Sequence, residues 1–380
     1  MMVPEINILY VQPYVTFAGV ISDTLPGHLA RNGYKIGIVS YSRNRNLAEM
    51  PSKPRNMRFY SVDALSLSIP NLVTEFPYFL HLEKVIKLIQ PDLIHINNLP
   101  FITTVQSARL AKKNHVKSVI QIHGIFGDRG VLLNLLQKAF IRIFGRSIFK
   151  NVDALICLTA EDAQKLVASG CPNEKICIIA NGVDVKKFHL FREESANSLF
   201  WCGRFVPEKG LNFLIEAIRV IVKEKGVKSV KLTLAGDGPL FGKIHQLIEK
   251  NGLKENILLV GRVDHEEIPA LMGASSIFVL PSLTEGMPYA LLEAMACGKP
   301  VVGSDISGIN DIILNGENGL LVTPKNPEAL ANAILALLSN VALRKRLGQN
   351  ARREIVRKYS WNVIVKNVET AYTNALEVAR

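Results

Sequence analysis

Short apolar segments alternate with helical segments along the whole chain, and this alternation most constrains the fold. In the first half we predict strands at Ile6–Val11, Lys35–Ser40, Met57–Val62, Leu93–Asn98, Ser118–Ile122, Ala154–Leu158 and Ile176–Ile179. In the second half we predict strands at Ser198–Cys202, Lys231–Ala235, Ile257–Val260, Ile277–Leu280, Val301–Gly303 and Leu320–Val322. Apolar strands separated by helices are typical of parallel sheets covered on both faces. The sequence therefore predicts an α/β fold with two doubly wound halves, in which ligands bind beyond the carboxyl ends of the strands.

Length and composition exclude several classes of protein. A chain of 380 residues, 48% hydrophobic and 21% charged, is globular and long enough for two domains. No apolar run reaches the 18 or so residues of a membrane-spanning helix. The N-terminal stretch lacks a basic region, so we expect no signal peptide. The odd number of cysteines, without C-x-x-C spacing, favours reduced thiols over a disulfide framework or a zinc site and predicts a cytoplasmic protein; they are Cys157, Cys171, Cys177, Cys202 and Cys297.

One stretch, from residue 282 to 307, combines a strand, a glycine-containing loop and a helix. Glu285-Gly286-Met287-Pro288 follows the predicted strand Ile277–Leu280, and a helix from Tyr289 is favoured by the residues after Pro288. The free N–H groups of a helix N-terminus bind anions. Glu285 lies on the loop, and Glu293 leans back toward it from within the helix. Donors for a phosphate beside two acceptors for hydroxyls suit a sugar joined to a nucleoside diphosphate.

The run E-G-M-P-Y-A-L-L-E-A-M-A-C-G-K-P-V-V resembles the signature of retaining glycosyltransferases of family 4, the group 1 family, which have the GT-B fold. The resemblance implies two Rossmann-like parallel-sheet domains facing a central cleft. It assigns residues 1–190 to acceptor binding, 191–358 to nucleotide-sugar binding, and 359–380 to a helix that crosses back to the first domain. Asn181-Gly182-Val183-Asp184 resembles the family's crossing into the second domain. The implied activity is that of a hexosyltransferase-type enzyme, which moves a sugar from a UDP- or GDP-linked donor to a hydroxyl acceptor such as a lipid-linked or cell-surface glycan precursor.

The resemblance also implies roles for individual side chains. Arg204 and Lys209, in G-R-F-V-P-E-K-G, suit a diphosphate because one cation is a planar fork and the other a compact charge. In the family they hold the donor diphosphate and neutralise the leaving group. Glu293 would bind the ribose hydroxyls, and Glu285 would hold hydroxyls of the transferred sugar. His123 follows a strand, at the place where a family histidine reaches the transferred sugar and the reacting centre.

Further donor-binding positions are implied at loops that follow strands and within the signature stretch. They are Gly19, Gly236, Arg262, Val263, Gly286, Met287, Pro288 and Leu292. At Gly19 family members usually have a Gly-Gly pair, whereas this chain has Ala18-Gly19, and a plain turn remains the alternative there and at Gly236. The loop with Arg262 and Val263 would meet the nucleobase through backbone groups.

The implied chemistry needs no cofactor other than the nucleotide sugar. We favour attack from the same face, in which the leaving phosphate takes the acceptor proton, because no second carboxylate pair suggests the arrangement of a retaining glycosidase. No Asp-x-Asp motif follows a predicted strand, so we expect no requirement for a metal ion.

The net charge of +12 is concentrated in the first half, because residues 1–190 contain 22 Lys/Arg and 13 Asp/Glu. A basic segment spans residues 43–58, and we favour a solvated loop over an anion site there. In residues 130–150, cations recur every four residues among apolar ones, at Lys138, Arg142, Arg146 and Lys150. Such a helix either lies on an anionic membrane face, here the inner face of the cell membrane, or packs on the core with a basic outer surface. Both alternatives stay open.

Three other functions are compatible with parts of the pattern. A sugar-nucleotide epimerase or phosphorylase has the same fold but lacks the pairing of G-R-F-V-P-E-K-G with E-G-M-P. A non-catalytic nucleotide- or polyanion-binding protein would suit the basic half, although we find no nucleic-acid-binding motif and expect no nucleic-acid partner. A Rossmann dehydrogenase would require G-x-G-x-x-G after the first strand, which is absent.

Overall fold

The structure is a computed structural model that describes residues 6–14, 23–41, 54–68, 75–124, 131–191 and 195–377. The described residues form two compact units. The first contains those up to Ala180 together with the chain from Ile364 on, and the second contains Asn181–Val363.

A parallel sheet forms the centre of the first unit. The strands of this unit are β1 (Asn7–Tyr14), β2 (Lys35–Tyr41), β3 (Met57–Ser61), β4 (Ala64–Ser68), β5 (Glu75–Phe79), β6 (Leu93–Asn97), β7 (Lys117–Gln121), β8 (Ala154–Cys157) and β9 (Ile176–Ile178). Seven of them form one sheet in the order β3-β2-β1-β6-β7-β8-β9. All neighbours in it pair in parallel. The order reverses beside β1, which is the topology of a doubly wound fold.

Helices connect these strands, as parallel pairing requires. They are α1 (Leu25–Arg31), α2 (Leu82–Ile89), α3 (Ile102–Lys113), α4 (Val131–Asn151) and α5 (Ala160–Ala168). Strands β7 and β8 are buried along their whole length. Their apolar side chains form one core with inward-facing residues of the helices, among them Val105 of α3 and Ile148 of α4.

The antiparallel pair β4–β5 was not predicted. It is a separate two-stranded sheet, in register from Ala64 opposite Phe79 to Ser68 opposite Glu75. Leu65 is exposed, so the pair lacks the continuous burial that identifies the central strands. The side chain of Gln106, on α3, fixes the end of β5 by accepting from the N–H of Phe79 and donating to its carbonyl.

The second unit repeats the architecture. Its strands are β10 (Ser198–Cys202), β11 (Lys231–Ala235), β12 (Ile257–Gly261), β13 (Ile277–Leu280), β14 (Val301–Ser304) and β15 (Leu320–Val322). They form a parallel sheet in the order β12-β11-β10-β13-β14-β15. The prediction of two doubly wound parallel sheets is confirmed. In this unit the predicted strand limits agree with the structure to within one residue.

The helices of the second unit follow the same alternation. They are α6 (Leu211–Arg219), α7 (Phe241–Lys250), α8 (Ile268–Ala274), α9 (Tyr289–Ala296), α10 (Pro327–Ser339), α11 (Val341–Lys358) and α12 (Trp361–Glu377). A π-helical turn, Val220–Glu224, continues α6. Helix α9 is almost entirely buried, which fixes the position of the carboxylate that it carries.

The chain passes from the first unit to the second after Ala180 and returns to the first unit at Ile364. The sequence predicted these boundaries at residues 190 and 358 instead. The segment after Ala180 belongs to the second unit because it is bonded there. The N–H of Val183 donates to the carbonyl of Tyr359, and the ring of Trp361 leaves no room for a Cβ at Gly182. Farther along, the guanidinium of Arg352 donates to backbone carbonyls of residues 185 and 188.

The last part of α12 contributes a buried polar cluster to the first unit. The hydroxyl of Tyr372 lies 2.7 Å from Nδ1 of His95 and 2.8 Å from the hydroxyl of Tyr10. The rings of Tyr10 and His95 stack with centroids 4.2 Å apart. Tyr372 therefore joins the first unit through hydrogen bonds as well as through packing. Burial, with a smaller contribution from the nearby His123, lowers the pKa of His95 to about 3.

Candidate functional site

The carboxyl ends of β10 and β13 bring two predicted site segments together in the second unit. These strands are neighbours at the point where the strand order reverses, which is where ligands bind in open α/β sheets. The N–H of Leu283 donates to the carbonyl of Glu208 at 2.8 Å. Gly210 has φ +64°, and a Cβ there would collide with the carbonyl oxygen of Pro281. The segments that follow the two strands are therefore packed backbone to backbone.

Lys209 and Glu285, predicted for the diphosphate and the sugar, form an ion pair. Nζ of Lys209 lies 2.6 Å from Oε1 of Glu285, and the hydroxyl of Ser282 donates to the same oxygen at 2.7 Å. The side chain of Glu285 is 9% exposed and that of Lys209 is 24% exposed. A carboxylate this buried requires such donors. The lysine still presents donors and some of its surface to solvent, so it can also contact an anion.

Arg204 lies two residues beyond the end of β10, and its side chain is exposed. The turn that carries it is fixed by the neighbouring strand-end loop, because the N–H of Gly203 donates to Ala235 and that of Phe205 to Asp237. Gly236 has φ +136°, and its missing Cβ makes room for the carbonyl of Gly203. Gly236 is therefore needed for packing of the two loops, whatever else it contacts.

The second signature acid, Glu293, lies in the middle of α9 and is 8% exposed. Its Oε1 is 2.9 Å from Nε2 of His265, a residue of the loop after β12. Nδ1 of the same ring is 3.0 Å from Nζ of Lys187. Neither His265 nor Lys187 was predicted as a site residue.

The loop before α9 is held from two sides. Asn181 donates from its backbone N–H to the sulfur of Met287 at 3.3 Å and from its side chain to the carbonyl of Met287 at 3.0 Å. The hydroxyl of Tyr289 donates to the side-chain oxygen of Asn181 at 3.3 Å. On the other side Gly308, with φ +84°, lies so close to the carbonyl of Gly286 that a Cβ there would collide. Residues 286–288 are thus positioned by contacts within the second unit.

The remaining predicted donor positions differ in how available they are. The side chain of Arg262 is exposed and Val263 is partly buried. Leu292 is fully buried and its N–H is bonded to the carbonyl of Pro288, so its side chain belongs to the core. Gly19 lies outside the described residues, as does most of the basic segment 43–58.

His123 lies in the first unit, just after β7. Its Nε2 is 2.7 Å from Oδ1 of Asn97, the last residue of the adjacent strand β6. Because an amide oxygen only accepts, the ring proton is on Nε2 and Nδ1 is left as an acceptor. Burial lowers the pKa of His123 to about 4, so the ring is neutral near pH 7 and acts as a hydrogen-bonding group rather than as a cation.

Helix α4 packs on the core with one face and exposes its cations on the other. One face is buried through Ile141, Ile148 and Phe149. The outer face exposes the four cations together with large apolar side chains; these are Lys138, Arg142, Arg146, Lys150, Leu135, Leu136 and Ile143. The helix contains no acidic residue. Among the helices that the structure describes, none has the length and apolar character needed to cross a bilayer.

Within the described ranges, no group of three or more His, Cys, Asp or Glu side chains is placed to hold a metal ion. The cysteines are free thiols, and burial raises the pKa of Cys171 to about 11 and that of Cys297 to about 12.

Comparison with known proteins defines the class. A model described as "Glycosyl transferases group 1" matches residues 183–354, and one described as "Glycosyltransferase Family 4" matches residues 19–187. An uncharacterized glycosyltransferase of Methanocaldococcus jannaschii is 35% identical over 281 residues, covering 74% of this chain and 75% of its own. The N-acetyl-alpha-D-glucosaminyl L-malate synthase of Bacillus anthracis is 27% identical and covers 96% of this chain and 95% of its own.

Solved structures agree on the fold. Anabaena HepE, in complex with UDP and glucose, superposes with a TM-score of 0.78 at 19% identity and covers 97% of this chain and 99% of its own. The fold is therefore GT-B, and the protein is a glycosyltransferase (EC 2.4). The chain belongs to the glycosyl transferases group 1 family.

Proposed function

We propose that this glycosyltransferase moves a sugar, with retention of its anomeric configuration, from a UDP- or GDP-linked donor to a hydroxyl acceptor. The observation that carries the proposal is the Lys209–Glu285–Ser282 cluster at the carboxyl ends of β10 and β13, next to the N-terminus of α9. Cationic and carboxylate groups side by side match the junction of a diphosphate with a sugar. The complex of HepE with UDP and glucose supports a uridine nucleotide as the first donor to test.

In this proposal each group acts on a separate part of the donor. Arg204, which is exposed, and Lys209, which retains free donors, bind the diphosphate. The N-terminus of α9 is also assigned to the diphosphate, because the N–H groups at the start of a helix bind anions. Negative charge grows on the diphosphate as the C1–O bond breaks, so these groups stabilise the transition state more than the bound donor. Glu285 holds sugar hydroxyls, and Glu293 holds those of the ribose.

Retention follows most simply from attack on the same face. The acceptor oxygen bonds to C1 as the bond from C1 to the β-phosphate oxygen breaks, and the acceptor proton passes to that phosphate oxygen. A covalent intermediate on Glu285 is disfavoured because its Oε1 already accepts from Lys209 and Ser282, which reduces the charge available for attack. Fixed donors on the diphosphate replace the metal ion in this scheme. We therefore expect turnover to be the same in EDTA and in Mg²⁺.

The activity is tested by incubating the protein with a panel of UDP- and GDP-sugars, first alone and then with a set of simple hydroxyl acceptors, and following release of the nucleoside diphosphate. We expect turnover of one donor. The NMR spectrum of the product should then show an α-linkage when the donor is α-linked. An inverted product would contradict the retaining mechanism. An epimerised sugar nucleotide with no release of diphosphate would favour the epimerase instead.

We further propose that the outer face of α4 binds an anionic membrane, where a lipid-linked acceptor would be found. Cations with exposed apolar side chains between them are the features of a helix that lies in a lipid interface. Ile143 is 68% exposed, which is costly in water and favourable in lipid.

Vesicle sedimentation tests this second proposal. Binding to vesicles with anionic lipid should be strong, should be lost in high salt, and should fall when Lys138, Arg142 and Arg146 become Glu. A matched triple change of exposed lysines in the second unit, at Lys225, Lys228 and Lys243, is the control and should fall less. Absence of binding by the parent protein would eliminate the membrane role while leaving the glycosyl transfer untouched.

A further inference from the structure

A line of three polar side chains ends at Glu293 and involves residues outside the signature stretch. Nζ of Lys187 is 3.0 Å from Nδ1 of His265, and Nε2 of His265 is 2.9 Å from Oε1 of Glu293. The three residues come from the turn after Asn181, the loop after β12 and the helix α9. All lie in the second unit.

The direction of these hydrogen bonds is fixed at one end. An ammonium group only donates, so Nδ1 of His265 accepts and the ring proton must be on Nε2. That N–H then donates to the carboxylate of Glu293. A tautomer with the proton on Nδ1 would turn a donor toward Lys187 and a lone pair toward the carboxylate. The lysine therefore selects the form of His265 that can hold Glu293.

Lys187 and the imidazole are themselves held in place. Oδ1 of Asp184 accepts from the N–H of Lys187 at 3.1 Å, which fixes the turn. The next residue, Phe188, places its ring 5.6 Å from that of His265, measured between centroids. Lys187 also donates to Glu266 at 2.7 Å. The Asn-Gly-Val-Asp turn thus does more than join the two units, because it positions Lys187, the residue that orients His265.

Glu293 needs such an orienting group if it recognises a vicinal diol. A free carboxylate rotates about its last bond, whereas two neighbouring hydroxyls require both oxygens at fixed positions. A hydrogen bond to one oxygen removes that freedom and leaves a lone pair on Oε1 and all of Oε2 for the ligand. Positioning of this kind raises affinity by reducing the ordering that binding would otherwise require.

We propose that His265 is a positioning residue, oriented by Lys187, that fixes the carboxylate of Glu293 for the ribose hydroxyls of the donor nucleotide. The inference rests on the proposed function, since it presumes a nucleotide donor. It adds to that function a specificity determinant for ribose that lies outside the signature stretch.

The test measures the affinity of UDP, or of GDP if the parent prefers it, by titration calorimetry alongside the matching 2′-deoxy nucleotide. His265→Ala should weaken the ribonucleotide about 10-fold, the loss expected for a hydrogen bond to a charged group. It should change the affinity of the deoxynucleotide much less. His265→Gln, which retains a donor, should recover part of the loss. In a Glu293→Ala background, removing His265 should cost nothing further.

A matched control is available in the same unit. His245 and Glu249 of α7 form an exposed pair at 4.0 Å, and His245→Ala should leave nucleotide affinity unchanged. Equal losses for the ribo- and deoxynucleotide in His265→Ala would overturn the positioning role and indicate a general effect on folding. No loss in His265→Ala would overturn the positioning role directly. A parent protein that binds neither UDP nor GDP would overturn the proposed function and this inference together, so the two failures are distinguishable.

Discussion

The ion pair between Lys209 and Glu285 allows the catalytic use of a cation to be separated from its structural use. Lys209→Met removes the ammonium and leaves a carboxylate whose side chain is 9% exposed with Ser282 as its remaining close donor. A hydrogen bond to a charged group contributes about 1.5–3 kcal/mol, and an unpaired buried charge costs at least as much. We therefore expect the free energy of unfolding of the second unit to fall by about 1.5–3 kcal/mol.

Glu285→Gln in the same chain should reverse most of that loss. In the double variant both charges are removed, and an amide replaces a carboxylate of the same shape. Its free energy of unfolding should return to within about 1 kcal/mol of the parent, because removing both partners of an interaction leaves no buried charge unpaired. Turnover should behave differently. Loss of one donor to the developing diphosphate charge lowers kcat by about 10²–10³, and removing Glu285 as well cannot restore it.

Urea unfolding followed by near-UV circular dichroism, together with kcat for the preferred donor, measures both quantities on the same samples. Lys113→Met is the control, because Lys113 pairs with Glu83 on the surface of the first unit and such pairs contribute less than about 1 kcal/mol. Recovery of turnover in the double variant would refute the reasoning, since Lys209 would then act only by neutralising Glu285. Full activity in Lys209→Met would refute it as directly.

Three further outcomes are expected. Arg204→Ala should lower kcat about 10²-fold or more but change stability by less than about 0.5 kcal/mol, because the side chain is exposed; unchanged turnover would remove it from the diphosphate site. Gly308→Ala should weaken donor binding and lower Tm, because a Cβ there collides with the carbonyl of Gly286; a parent-like Tm would contradict this contact. The pKa of His95 is near 3 when folded, below the unfolded value of 6.5, so the unfolded state binds more protons as the pH is lowered below 6.5 and stability decreases. From pH 6.5 to 5 this one group should contribute a loss of about 1.6 kcal/mol. His95→Gln should reduce the loss by about that amount when unfolding is compared at the two pH values, and part of the loss should remain because His123, with a folded pKa near 4, contributes in the same direction.

The parallel sheets were predictable from the sequence because their strands are buried on both faces. Strands such as β13, Ile277–Leu280, are runs of buried apolar residues that local pattern identifies directly. The pair β4–β5 was missed because exposed residues such as Leu65 interrupt its burial, and such a segment resembles a loop in sequence. The chain division at Ala180 depends on bonds from Val183 to Tyr359, which are far apart in sequence.

The candidate site likewise contains residues that the sequence predicted and residues that it did not. Arg204, Lys209, Glu285 and Glu293 were predicted because each lies in a continuous motif. His265 and Lys187 were not, because the bonds that define their role join positions 28 and 78 residues apart. A signal was present for one of them. His265 lies five residues beyond the predicted strand Ile257–Val260, near the carboxyl end of a parallel strand, where ligands bind in such sheets.

The two signature acids, which the spacing presents as a matched pair, have partners of different kinds, and this difference predicts how each responds to the donor. Glu285 is neutralised by Lys209, the same cation that the diphosphate would recruit. A diphosphate bound by the remaining N–H groups of Lys209 would share that cation with Glu285, whose Oε1 also accepts from Ser282. Glu293 is held by the N–H of His265, which a diphosphate does not need. A nucleoside diphosphate without a sugar should thus fill the ribose site at Glu293 without displacing His265, while the carboxylate of Glu285 stays paired with Lys209 and Ser282 and has no sugar hydroxyl to bind.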